Sequence, residues 1–205
     1  MRKTPSLFKR DYDGTREIYD ELVEQSAWVQ RGEGEATLKI DGTCCMIEGG
    51  ELFKRYDRKL TKQALRRKKR GHTGPWGESD FKPAPRGWRG CHEQPDTRSG
   101  HWPGWIPVTD GPEDRWHREA LARLDATHTE DGTYELIGPK IQGNPYDLSA
   151  HELVRHGATK LDDVPTDFDG LRAWLEANDV EGIVWWHPDG RKAKIKRKDF
   201  GLHWP

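Results

Sequence analysis

Residues that alternate between apolar and polar occur in short runs in the first third of the chain, and such alternation is typical of half-buried β-strands. Three runs follow one another at residues 36–40, 44–48 and 51–56. The dipeptides Asp41-Gly42 and Gly49-Gly50 separate them, and both favour tight hairpin turns. The pattern predicts an antiparallel meander of three strands.

Strand-like runs return in the second half of the chain. One covers residues 132–138, and two more, at 180–186 and 191–197, flank the sequence His187-Pro188-Asp189-Gly190. Proline and Asp-Gly are strong turn formers, so the last two runs are predicted to pair as a hairpin.

Apolar residues that recur at spacings of three and four predict four amphipathic helices. They cover residues 16–30, 61–70, 116–124 and 167–177. Asp13 or Thr15 is the candidate N-cap of the first helix, and Thr166 is that of the last. The first helix would bury Ile18, Leu22, Val23 and Trp28, and the last would bury Phe168, Leu171, Trp174 and Leu175.

Residues 71–116 lack a periodic apolar pattern and are rich in Gly, Pro and Trp. Because flexible linkers rarely contain tryptophan, we expect an irregular insertion that aromatic packing holds in place. Most of these indole rings are expected to be structural, although one or two could stack on the bases of a single strand. The tryptophans are Trp76, Trp88, Trp102, Trp105 and Trp116.

Composition places few limits on function. The 205 residues carry a formal net charge of -1, but the charges are unevenly distributed, with residues 11–35 acidic and residues 51–70 basic. The basic run 66–70 is either a solvated helix face or a surface that contacts phosphates. Three cysteines form no disulfide framework, and no apolar run is long enough for a membrane span or signal peptide, so we expect a soluble, cytoplasmic protein.

The first candidate for chemistry is Lys39. It lies between Leu38 and Ile40 in an alternating run, so its side chain points away from these apolar neighbours and toward a cleft or water. A lysine in this position could equally be an exposed strand residue before an ordinary hairpin turn.

Later strand-like runs supply further charged residues. They contribute the carboxylates of Glu135 and Glu181 and the cations Lys194 and Lys196. One nucleophilic lysine followed by two carboxylates and further cations resembles the motif series of covalent nucleotidyltransferases, a class that contains polynucleotide ligases and messenger-RNA capping enzymes.

Longer motifs make the resemblance more specific. They occupy residues 39–45, 55–59, 80–85, 101–108, 135–138, 143–146, 181–185 and 201–205. In these segments the chain is similar to the ATP-dependent 5′-to-3′ RNA ligase 1 family. The resemblance implies an α+β nucleotidyltransferase fold, unrelated to ATP-grasp enzymes, with antiparallel sheets and flanking helices around an ATP cleft. The length of 205 residues and the position of the last motif lead us to expect a single domain over residues 1–205, with no C-terminal OB domain.

The same resemblance implies a three-step reaction. Lys39 would attack the α-phosphorus of ATP, release pyrophosphate and carry a lysyl-AMP. The AMP would pass to an RNA 5′-phosphate, and a 3′-hydroxyl would then displace it. ATP and Mg²⁺, with Mn²⁺ as a substitute, are the implied cofactors. An amine attacks only when it is deprotonated, and neighbouring cations favour that form.

Roles for individual residues follow from the same motifs. Lys39, Arg55, Arg58, Glu135, Lys194 and Lys196 would contact the nucleotide, and Glu181 and Asp41 would hold the metal ion. Arg55 takes precedence over Arg58 as a phosphate contact, and Glu135 would accept a hydrogen bond from the ribose. Animal members have lysine and then histidine in the last motif, so Lys194 is a safer assignment than Lys196.

The implied partner is RNA with 5′-phosphate and 3′-hydroxyl ends, with no membrane and no protein partner. RNA would be gripped by residues 59–70, the 71–116 segment and the last basic run. Three rival functions stay open: a capping-type guanylyltransferase, a DNA ligase with the same lysine chemistry, and a non-catalytic RNA-binding module. Phe168, Tyr146 and Trp174 are alternative candidates for stacking on adenine.

Overall fold

A computed structural model describes residues 3–96, 100–124 and 129–205. Within these residues the chain forms antiparallel strands and a few short helices. The strands are β1 (Phe8–Arg10), β2 (Ile18–Leu22), β3 (Glu35–Lys39), β4 (Thr43–Glu48), β5 (Glu51–Arg58), β6 (Arg89–Gly90), β7 (Trp102–Pro107), β8 (Gly132–Ile137), β9 (Glu152–Arg155), β10 (Gly182–Trp186) and β11 (Lys192–Lys196). The α-helices are α1 (Lys62–Lys69), α2 (Arg115–Arg123) and α3 (Phe168–Ala177). The α+β class with antiparallel sheets is therefore confirmed.

The described residues divide into two compact units. Unit 1 contains residues 43–141 and 147–153, and unit 2 contains residues 3–42, 142–146 and 154–205. The expectation of one domain over residues 1–205 stays a prediction. No helix in the described ranges combines the length and the apolar composition that a bilayer span requires.

Unit 1 is built on a six-stranded sheet with the order β6-β7-β5-β4-β8-β9. β4 and β5 pair as the predicted hairpin, and Gly49 and Gly50 at its turn both have positive φ, which glycine adopts without strain. Cys45 and Ile47 of β4 and Leu136 of β8 are fully or almost fully buried in one apolar cluster, with Ala120 of α2 beside them. The predicted strand at 132–138 and the helix at 116–124 are confirmed.

The segment at 71–116 was expected to be an irregular insertion, but it contributes β7, which lies inside the sheet between β5 and β6. Pro103 and Pro107 obscured this strand, since proline is normally unfavourable within a sheet. Trp102 and Trp105 are buried on β7, and Trp76 is buried in a neighbouring aromatic cluster. These three indole rings therefore have structural roles.

Unit 2 contains a three-stranded sheet with the order β11-β10-β3. The hairpin of β10 and β11 is confirmed, but the predicted pairing of β3 with β4 is wrong, because β3 pairs with β10. Ile183 and Trp185 of β10 are buried in the core of unit 2, and Leu38 and Ala36 of β3 lie directly opposite them. Matching apolar faces fix this register, which a local turn cannot reveal.

The predicted helix at 16–30 is also wrong. The structure has β2, paired with β1, followed by a 3-10 turn at Glu24–Ser26. Arg16 has a positive φ of 63°, so a right-handed helix cannot begin there. The apolar spacing that suggested a helix arises because Ile18 of β2 and Trp28 after the turn enter the same core.

The two remaining helix predictions are confirmed, with one change of cap. Thr61 caps α1, and its hydroxyl oxygen accepts a hydrogen bond from the Ala64 amide at 3.2 Å. Asp167, rather than Thr166, caps α3, accepting from the Gly170 amide at 2.8 Å. A carboxylate at this position also interacts favourably with the positive end of the helix dipole.

Candidate active site

Lys39 is the last residue of β3 and lies in a row of residues that crosses the sheet of unit 2. Gly182 of β10 pairs with Lys39 on one side and with Lys196 of β11 on the other. Two residues further along the sheet, the next row on the same face contains Thr37, Val184 and Lys194. Side chains that lie directly opposite one another share a sheet face, so the three lysines emerge on the face away from the apolar core.

A glycine at the centre of this row has a steric reason. A Cβ atom on Gly182 would lie 2.2 Å from the carbonyl oxygen of Ile195, well inside the contact limit. Any side chain there would therefore force β10 and β11 apart and disturb the spacing between Lys39 and Lys196. The glycine keeps the middle of the lysine face open.

Glu181 makes the closest contact to the candidate nucleophile. Its Oε2 lies 2.5 Å from Nζ of Lys39, and its side chain is only 5% exposed. Burial raises the pKa of Glu181, the adjacent Lys39 opposes that rise, and the negative charge of Asp41 adds to it. Two carboxylates and one amine are therefore electrostatically coupled at the end of β3.

The other two lysines are held in conditions that disfavour their charge. Burial lowers the pKa of Lys194, and the positive charge of Lys39 lowers it further. Burial also lowers the pKa of Lys196 to about 8, partly opposed by Asp199. Asp199 is itself buried, forms an ion pair with Arg10 and accepts a hydrogen bond from the Lys196 amide at 3.0 Å.

Asp41 is held by residues far away in the sequence. Its Oδ2 accepts a hydrogen bond from the indole N–H of Trp204 at 3.0 Å, and its backbone N–H donates to the Tyr146 hydroxyl at 2.6 Å. Sequence reasoning did not find either contact. Of the other aromatics considered for adenine stacking, Phe168 packs edge-on against Phe8 in the core.

The remaining predicted site residues belong to unit 1. Glu135 is buried on β8 and pairs across the sheet with Cys44. Burial raises the pKa of the Cys44 thiol to about 12, and the negative charge of Glu135 contributes to this rise. Arg55 of β5 forms an ion pair with Asp57 at 2.7 Å and lies 5.7 Å from the ring centre of Trp105.

Arg58 has a clear structural role in the same unit. It is 4% exposed, donates to the carbonyl oxygen of Lys82 at 2.9 Å and pairs with Glu78 at 2.6 Å. Its guanidinium also lies 4.7 Å to 5.7 Å from the ring centres of Trp102, Trp88 and Phe81. A cation among three rings stabilises this cluster. The nucleotide-binding roles of Arg55, Arg58 and Glu135 stay predictions.

Unit 2 thus brings together five of the predicted site residues: Lys39, Asp41, Glu181, Lys194 and Lys196. Comparison with known proteins shows which family has a similar sequence. The family model described as RNA ligase 1 matches residues 8–123 and 121–205. This chain belongs to the RNA ligase 1 family.

Individual members of the RNA ligase 1 family align along the whole chain. RNA ligase 1 of Mus musculus is 35% identical over 268 residues, which cover 100% of this chain and 82% of the relative. RNA ligase 1 of Danio rerio is 34% identical over 258 residues, covering 100% and 79%. The family expected from the motifs is therefore confirmed.

Proposed function

We propose that this protein is an ATP-dependent RNA ligase that joins a 5′-phosphate to a 3′-hydroxyl through a lysyl-AMP and an adenylylated RNA. Its fold would be that of the covalent nucleotidyltransferases. The observation that carries the proposal is the Lys39 amine, which contacts the buried carboxylate of Glu181 and shares a sheet face with Lys194 and Lys196. Membership in the RNA ligase 1 family supports RNA as the substrate.

In the first step the Lys39 amine attacks the α-phosphorus of ATP. A P–N bond forms, the P–O bond to pyrophosphate breaks, and the amine loses a proton. Glu181 orients the amine through their 2.5 Å contact, and its raised pKa makes it a better proton acceptor than an exposed carboxylate. Lys194 and Lys196 are placed to stabilise negative charge on the phosphates.

Glu181 and Asp41 fit the requirements of a divalent cation. Both offer hard carboxylate oxygens. The negative charge of Asp41 raises the pKa of Glu181, so the two carboxylates are close enough to interact. These residues would hold Mg²⁺ or Mn²⁺, which would neutralise phosphate charge during nucleotidyl transfer. The ribose contact from Glu135 and phosphate contact from Arg55 complete the proposed set.

The second and third steps transfer AMP to RNA and then release it. The RNA 5′-phosphate attacks the α-phosphorus, the P–N bond to Lys39 breaks, and the amine regains its proton. The 3′-hydroxyl oxygen then attacks the activated 5′-phosphate, forms the phosphodiester and displaces AMP. Lys39 takes no covalent part in this last step, so a Lys39 variant supplied with pre-adenylylated RNA should still seal it slowly.

A ligation assay tests the proposal directly. Single-stranded RNA with a labelled 5′-phosphate and a 3′-hydroxyl is incubated with ATP and Mg²⁺, and the circular or joined product is separated by size. We expect product with the unaltered protein, none with Lys39→Ala and none from RNA with a 5′-hydroxyl. Lys9→Ala, which alters an exposed lysine of β1 that pairs with Glu21 outside the lysine row, is the matched control and should ligate normally.

Three further measurements separate the rival functions. Covalent labelling by GTP instead of ATP would indicate a capping-type guanylyltransferase. Preferential sealing of nicked DNA would indicate a DNA ligase. Retention of RNA without any covalent nucleotide on the protein would indicate a binding module.

A further inference from the structure

The turn that follows Lys39 is held by two aromatic side chains. Asp41 donates its backbone N–H to the hydroxyl of Tyr146, 105 residues later, and accepts the indole N–H of Trp204, 163 residues later. The two rings also lie beside each other, with their centres 6.1 Å apart and their planes inclined by 55°. Together they form a pair that holds both the backbone and the carboxylate of Asp41.

This pair acts where the sheet no longer fixes the chain. Lys39 is the last residue of β3 that pairs with β10, so Ile40, Asp41 and Gly42 lack a partner strand. Nζ of Lys39 donates to the carbonyl oxygen of Ile40 at 3.3 Å as well as contacting Glu181. A change in the backbone at Ile40 or Asp41 would therefore also move the reacting amine.

The segment that carries Trp204 is held by contacts within unit 2. Arg197 donates through Nε to the carbonyl oxygen of His203 at 2.8 Å and through Nη1 to the carbonyl oxygen of Asn178, at the end of α3, at 2.7 Å. Leu202 packs against the core of unit 2, and its amide donates to the Arg197 carbonyl oxygen at 3.1 Å. The indole therefore reaches Asp41 from an anchored segment.

We propose that Trp204 and Tyr146 are positioning residues that hold Asp41, and through it the Lys39 amine, in the orientation for attack. The inference rests on the proposed function, because it assigns the pair a role in the adenylylation step. Neither residue needs to touch ATP. Since near-attack geometry is sensitive to shifts of about 1 Å, loss of one anchor should slow the chemical step more than ATP binding.

Two substitutions separate the indole contact from the negative charge of Asp41. Trp204→Phe keeps an aromatic ring beside Tyr146 but removes the N–H that Asp41 accepts. Asp41→Asn keeps an oxygen acceptor for that N–H but removes the charge. In single-turnover adenylylation, we expect Trp204→Phe to lower the maximal rate about ten-fold, with the KM for ATP changed by less than about two-fold.

A double-mutant cycle tests whether the two residues act as one unit. If Trp204 acts through Asp41, Trp204→Phe should slow the chemical step in the unaltered protein but have little further effect in Asp41→Ala. Trp28→Phe serves as the matched control, because it also removes an indole N–H, one that donates to the Gln25 carbonyl oxygen at 3.0 Å in the core of unit 2, and it should retain the normal rate. Additive effects of Trp204→Phe and Asp41→Ala, or an unchanged rate in Trp204→Phe, would overturn the proposal.

A readout without ATP separates this proposal from the proposed function. Lys39 can be acetylated with limiting acetic anhydride and its modification followed by peptide mass, with Lys198 as an internal reference. Because a loosened amine leaves its contact with Glu181 more often, Trp204→Phe should raise Lys39 labelling several-fold relative to Lys198. Unchanged labelling would contradict the positioning role. Raised labelling in a protein that never accepts AMP would contradict the ligase function but not the anchoring.

Discussion

Lys196 is a site residue whose charge changes at a moderately alkaline pH. It lies across Gly182 from Lys39, and burial lowers its pKa to about 8. Below that pH its ammonium group can attract phosphates, and this attraction is lost as the pH rises through about 8. Neighbouring charges act in both directions, because Asp199 and Glu181 favour the ammonium form while Lys194 and Lys198 oppose it.

We predict that Lys196→Arg removes this pH dependence, because a guanidinium stays charged throughout the range. The KM for ATP in the adenylylation step should rise in the unaltered protein above about pH 8 and stay nearly constant in the variant. Measurements between about pH 6.5 and 9.5 would reveal the divergence. Parallel profiles for the two proteins would show that the Lys196 charge does not contribute to ATP binding.

The grouping of candidate site residues could be predicted from sequence only where charged residues stand in short motifs. Lys39, Glu181 and Lys194 each stand in such a motif, and the structure brings them together in unit 2. The contacts of Trp204 and Tyr146 with Asp41 were missed although both residues lie in motifs, because a tryptophan or tyrosine is compatible with many roles, and Tyr146 was considered only for stacking on adenine. Their link to Asp41 depends on geometry across 163 and 105 residues of sequence.

Helix α1 concentrates positive charge on the surface of unit 1. Ala64 is its one buried residue, and the bases of its last turn are exposed. Two nearby acids are already paired, Asp80 with Arg67 and Glu78 with Arg58. Five further exposed bases lie on α1 or next to its ends, and among the described residues no carboxylate lies within ion-pair distance of them. They are Lys59, Lys62, Arg66, Lys69 and Arg70.

We predict that α1 contributes to RNA binding through phosphate contacts. Replacing Lys62, Arg66 and Lys69 with Gln should weaken binding of single-stranded RNA and lower the slope of log K against log salt by up to about 2, at roughly 0.7 for each lost phosphate contact. Fluorescence anisotropy across a salt series measures both effects. A second triple variant, with Gln at Arg115, Arg123 and Arg172, controls for loss of charge elsewhere.

Equal effects of the two triple variants would contradict a specific role for α1. Basic residues near a helix C-terminus also stabilise the helix dipole, by about 0.3 to 1 kcal/mol each. The melting temperatures of both variants must therefore be compared with that of the unaltered protein. A weakened RNA interaction without a matching loss of stability is the expected result.

Elements were predictable where local sequence determines the structure. The β10–β11 hairpin, the β4–β5 hairpin and helices α1 and α3 all carry their own turn or cap signals. Long-range pairing was not predictable, because β3 joins β10 rather than the adjacent β4. Strand β1 was missed because it has only three residues, too few for a periodic pattern.

Considered as a whole, the molecule is nearly neutral, so only local concentrations of positive charge can attract RNA. With 34 lysines and arginines against 35 aspartates and glutamates, the protein has almost no net charge to attract a polyanion from a distance. Local concentrations such as α1 and the lysine face of unit 2 can still bind phosphates. The match to the RNA ligase 1 family includes both of these regions.

The central claim is that Lys39 forms a covalent bond to AMP. The most direct measurement is the intact mass of the protein after incubation with ATP and Mg²⁺, followed by mapping of the modified peptide. We expect one added AMP, carried by the peptide that contains Lys39 and absent from Lys39→Ala. An unchanged mass under conditions that support RNA joining, or AMP mapped to a different residue, would contradict it.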